Sequence, residues 1–164
     1  MPELTPTLQA FFNARSPELL QVITGADLPG LGSGPRVDVV AAAVVKEEKG
    51  QSWPDGVLAG LWLLAGDLDR SHSYSQQDSS AEGSFWHGIM HRREGDYSNA
   101  AYWFRRVGRH AVLDQLAEQF PDAYGTPDQF IEAVESRRDA ERLKEIQWAE
   151  WQSLMAWCCP QDSP

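Results

Sequence analysis

The chain has 164 residues, 42% hydrophobic and 23% charged, values of an ordinary globular domain with a substantial core, which excludes a predominantly disordered chain. A formal net charge of −10 excludes general nucleic-acid binding and adsorption to anionic membranes, since both need a basic face. No apolar run approaches bilayer length, and no basic start precedes an apolar segment at the N-terminus. A cytoplasmic protein with no membrane partner is therefore expected.

Pro2, Pro6, Pro17, Pro29 and Pro35 punctuate residues 1–36, which read as the loop-rich N-terminal part of a single domain, 1–164. Within it, Ser16-Pro17-Glu18 starts a short helix through Ile23, with Ser16 as N-cap and Pro17 in the first helical position. Thr24–Arg36, with its four Gly and two Pro, reads as a loop. Val37–Lys49 is rich in β-branched residues, but its alanines and the KEEK that follows favour a buried helix. Trp53-Pro54-Asp55-Gly56 breaks the chain. Beyond it the periodicity predicts helices over 56–65, 67–77, 84–94, 96–107, 110–119, 127–138 and 139–157. Residues 56–107 form two degenerate hairpins, and 127–157 the C-terminal helices, anchored by Trp148, Trp151 and Trp157. The expected fold is all-α: one compact domain of about seven helices. The adjacent Cys158 and Cys159 are poorly spaced for a mutual disulfide and read as reduced thiols.

Gly66-Asp67 and Gly95-Asp96 stand 29 residues apart. Each pair suits the end of one helix and the capped start of the next. With Gly88, Tyr97, Ala100 and Phe104, the second copy resembles a tetratricopeptide or Sel1-type hairpin, which implies close helix packing through small residues and a groove filled by aromatics. A wider block comprises His72, Gln76, Trp86, His87, His91, Arg92, Arg93, Glu94, Asp96, Asn99, Ala100, Tyr102, Trp103, Arg105 and His110. It resembles an uncharacterised family of small bacterial and fungal proteins, and that resemblance implies no activity.

Ser84–His110 concentrates the chemistry. It holds three of the four histidines and five arginines, for a formal charge of +3 that leaves −13 on the rest of the chain. His87, His91 and Glu94 fall at i, i+4 and i+7, on one face of a helix. His72 falls near them when the two hairpins are aligned. His72, His87, His91 and Glu94 are thus candidate ligands of a divalent transition metal, zinc or iron. The alternative is that each His is a core residue satisfied by a backbone carbonyl or an acid. Glu94 joins one ion only if the helix end bends inward; otherwise it orients a ligand.

Arg92, Arg93, Asn99, Trp103 and Arg105 are candidate binders of a small anionic ligand. Guanidinium groups hold carboxylate or phosphate bidentately, and an Arg can stack on Trp103 or Trp86. The same arginines can instead pair with the protein's own acids. No nucleophile elbow, P-loop or dinucleotide fingerprint is present. The expectation is a metal- or small-anion-binding helical protein, with metal-assisted hydrolysis as its reaction class if it is an enzyme. The alternative is a helical-repeat interaction module that binds a protein partner and has dispersed, inert histidines. A third possibility is a structural subunit whose tryptophan-rich last helix is an oligomer interface.

Overall fold

The structure is a computed structural model that describes residues 3–160. Among these residues all regular structure is helical: α1 Pro6–Arg15, α2 Pro17–Gly25, α3 Asp38–Gly50, α4 Asp55–Leu64, α5 Leu68–Gln77, α6 Ala81–Glu94, α7 Tyr97–Val107, α8 Ala111–Gln119, α9 Pro127–Ser136 and α10 Ala140–Cys158. Ten helices stand where about seven were expected. The seven helices counted lie beyond residue 55; α2 and α3 stand where the sequence placed a short helix at Ser16 and a helix at Val37–Lys49, and α1 is the element missed, in residues that read as loop-rich. Pro6 and Pro17 both occupy first-turn positions, so the prolines open helices rather than interrupt a loop. In α1, Leu8 and Phe12 stand one turn apart and are both buried, which gives the helix its inward face.

The two Gly-Asp pairs do the same work in both hairpins. Gly66 and Gly95 are left-handed, with φ of +74° and +84°, a conformation that costs glycine little. The Asp67 and Asp96 amides reach back to the Trp62 and His91 carbonyls at 3.0 and 2.9 Å, closing the ends of α4 and α6. The Asp67 and Asp96 carboxylates then accept from the Arg70 and Asn99 amides, capping α5 and α7. The α4–α5 and α6–α7 hairpins pack together through α5 and α6, and the long α10 lies against α1, α4, α8 and α9.

Two helices occupy the centre. α4 is apolar and buried from Gly56 to Leu64. α6 is buried from Gly83 to Arg93 although it carries His87, His91, Arg92 and Arg93. Gly88 lets α7 approach closely, since a Cβ there would lie 2.8 Å from the Phe104 ring. The Trp86 ring lies beside Gly60 of α4, where the Met155 side chain of α10 also packs. Of the two rings on which an arginine could stack, Trp86 is fully buried and no guanidinium lies over it among the described residues.

The arginines of α6 act as internal fasteners. The Arg92 and Glu150 side chains are both completely buried. Arg92 donates from both terminal nitrogens to Glu150, at 2.9 and 2.6 Å, and to Gln147 at 3.2 Å. Tyr124 donates its hydroxyl to Glu150 at 2.5 Å, and the Arg92 guanidinium lies 4.6 Å above the Phe130 ring. Burial works against the Arg92 charge, but the Glu150 carboxylate outweighs it and holds the guanidinium pKa above its usual value. Arg93 donates to the carbonyls of Leu63, at the end of α4, and Gly32. Gln147 holds the Gly30 carbonyl at 3.1 Å. The loop before α3 is thereby pinned to the body.

Glu150→Ala leaves a buried guanidinium without its counter-charge and is expected to cost about 3–5 kcal/mol in urea unfolding. Replacing the pair with Arg92→Met and Glu150→Leu is expected to recover most of that loss. A double variant as unstable as the single one would show that the ion pair is not what Glu150 contributes.

Candidate metal centre

The three candidate histidines meet. His72 of α5 is half-buried, while His87 and His91 of α6 are buried. Their ring centres lie 4.6 Å (His72–His87), 5.8 Å (His72–His91) and 4.9 Å (His87–His91) apart. One nitrogen from each ring falls within 4.8 Å of the other two. The local cause is simple: a four-residue spacing stacks His87 and His91 on one face of α6, and the α5–α6 packing brings His72 against that face.

Each histidine has a different environment. His87 lies under Trp103 of α7, with rings 3.8 Å apart and 10° from parallel. Its Nδ1 is buried with no hydrogen-bond partner, an arrangement that needs a reason, because buried polar atoms are nearly always paired. Burial, reinforced by His72 and His91, lowers the His87 pKa from 6.5 to about 4. The ring is therefore neutral near pH 7, the form that binds a metal.

His91 places Nδ1 2.6 Å from the Glu94 carboxylate and Nε2 3.2 Å from the Asn99 amide nitrogen. A carboxylate accepts, so we assign the His91 proton to Nδ1 and the lone pair to Nε2. The Asn99 amide nitrogen also stands 3.5 Å from Nδ1, so it lies over the ring, while Glu94 orients His91 through Nδ1, as carboxylates do beside metal-bound imidazoles. Glu94 also comes within 4.8 Å of Asp96 and His91, but Asp96 is engaged in capping α7.

The other candidates divide. Asn99 and Trp103 are at the histidines. Arg92 and Arg93 are not: their guanidinium groups are turned into the core, on Glu150 and on backbone carbonyls. For Arg92 the use that pairs it with the protein's own acid is the one observed. Burial, and then the neighbouring Arg92, lowers the Arg93 pKa to about 10, which leaves it charged at neutral pH. Arg105 is exposed on α7. Arg106, rather than Arg105, lies over the Trp103 ring, with its guanidinium 5.4 Å from the ring centre. The three-residue spacing from Trp103 held that signal.

His110 is separate from the cluster. Its Nδ1 accepts from the Val112 amide and caps α8, while Nε2 meets Glu82 at 2.8 Å. Cys158 and Cys159 are free, and burial pushes both thiols up to about 12. Comparison of the chain with protein families, curated proteins and solved structures returned no match.

The neutral His87 sets a pH dependence. Its folded pKa, about 4, lies below the ordinary 6.5, so the unfolded chain takes up this proton first as pH falls. Stability is undiminished above about pH 6.5 and declines from there toward pH 4, by at most roughly 3 kcal/mol. His87→Phe, which keeps a ring under Trp103, is expected to flatten that decline. Equal slopes for the two proteins in chemical unfolding between those pH values would contradict the assignment.

Proposed function

We propose that the protein binds one divalent transition metal, zinc or iron, in the cytoplasm through His72, His87 and His91, with Glu94 orienting His91. The observation that carries this reading is the convergence of three imidazoles, one nitrogen from each, with His87 among them holding a buried, unpartnered Nδ1. One tetrahedral ion needs ligand nitrogens about 3.3 Å apart, from metal–nitrogen bonds of about 2.0–2.1 Å. The three nitrogens, within 4.8 Å of one another, would close to that spacing on binding. The alternative of an interaction module with dispersed histidines gains nothing from this convergence. Three neutral ligands leave the ion its full charge and one open position, which suits a bound water of lowered pKa and metal-assisted hydrolysis.

Calorimetric titration of the chelator-treated protein with zinc tests the reading. One equivalent is expected to bind. His87→Ala is expected to lose at least about 100-fold in affinity, and Glu94→Gln about 10- to 100-fold, as for an orienting partner. Zinc affinity unchanged by His87→Ala, or no uptake by the unaltered protein, would overturn it.

A further inference from the structure

The last turn of α10 carries an indole that the core does not use. Trp148 and Trp151 of the same helix are buried, but Trp157 is 54% exposed. Its ring is nonetheless fixed in place. It meets the His110 ring with centres 4.8 Å apart at 60°, and His110 is itself held by Glu82 and by the Val112 amide. Trp157 lines a cleft of about 590 Å³ where α10 meets α1 and α8. That volume lies within the roughly 300–1,000 Å³ of small-molecule sites.

The rest of the lining is polar and uncharged. Ser153 stands one turn before Trp157 on α10, Thr5 and Thr7 come from the start of α1, and Gln115 comes from α8. Gln152 is buried, and its side-chain oxygen accepts from the Thr5 amide at 2.7 Å. That bond fixes the side chain and leaves the Gln152 amide hydrogens unused at the cleft. In a chain with 24 acidic and 14 basic residues, no charged side chain lines this cleft among the described residues. An ionic ligand would find no counter-charge there. Hydroxyl and amide groups both donate and accept, as the hydroxyls of a sugar do. An exposed indole offers apolar surface to the C–H face of a pyranose ring.

We propose that this cleft binds a neutral saccharide of mono- or disaccharide size, its ring stacked on Trp157 and its hydroxyls held by Thr7, Gln115, Gln152 and Ser153. The cleft shares no residue with the histidine centre, so the proposal does not rest on the metal reading. A second copy of the chain is the weaker occupant. With Trp148 and Trp151 buried, a single indole supplies little of the roughly 800 Å² per partner that a stable interface covers.

The test is saturation-transfer NMR on the full chain with maltose, cellobiose, lactose and N,N′-diacetylchitobiose in turn, with sedimentation of the same samples. At least one of these sugars is expected to bind. Its affinity is expected to fall about 10-fold in Trp157→Ala, for the lost stacking. Gln115→Ala, at an exposed position, is expected to lose about 3- to 10-fold, for one hydrogen bond, and serves if the tryptophan variant fails to fold. Trp157→Phe keeps a ring and is expected to retain most of the affinity. Saturation transfer to none of the sugars, or an affinity unchanged in Trp157→Ala, overturns the proposal. So does a protein that sediments as a dimer and becomes monomeric in Trp157→Ala, since the cleft would then seat a second copy.

Discussion

The structure depends on burying α6, a helix whose side chains are half polar. From Gly83 to Arg93 every residue is out of solvent, so each polar group must be matched inside the protein. The matches organise the surrounding elements. Arg92 draws in Glu150 and Gln147 of α10 and the Tyr124 hydroxyl from the loop before α9. Arg93 closes the end of α4 and holds the loop at Gly32. His91 takes Glu94 and Asn99. A helix of the same shape with apolar residues would pack as α4 does, but it would not specify which partner stands on which side.

Against that background the unpartnered nitrogen of His87 is informative. On the same helix Arg92 Nε and Trp86 Nε1 are also buried without a partner, and what sets His87 Nδ1 apart is that its ring stands beside two other imidazoles. Protonation would not solve the problem, because burial and the neighbouring rings disfavour charge on His87. A metal, as proposed, would solve it: it would take lone pairs from neutral rings and replace mutual crowding of imidazoles with shared coordination. Trp103 and Gly88 set the outer boundary, the first by stacking on His87 and the second by letting α7 come close enough for it to do so.

How much of this was legible in the sequence followed from how local each signal is. The two Gly-Asp turns were readable because both halves act within one turn of backbone: a left-handed glycine, then a cap three residues before its donor. His87 and His91 were readable as one face from the helical period, and His72 joined them only through the repeat alignment. The N-terminal helix α1 was missed because proline opens helices as readily as it breaks them, and Leu8 and Phe12 alone make a thin periodic signal. The roles of Arg92 and Arg93 were not legible. Adjacent in sequence with identical chemistry, they face different partners, and Glu150 lies 58 residues from Arg92. Nor does periodicity reveal a helix buried on every side, since such a helix has no solvent face to contrast with its buried one.

The most direct test of the account is X-ray absorption at the zinc edge on stoichiometrically loaded protein. The account expects scattering from three imidazole rings with nitrogen at about 2.0–2.1 Å and one further light-atom ligand. Sulfur at about 2.3 Å, from Cys158 or Cys159, would contradict it, as would an oxygen shell without imidazole scattering. Either result would return His72, His87 and His91 to the core as packing residues.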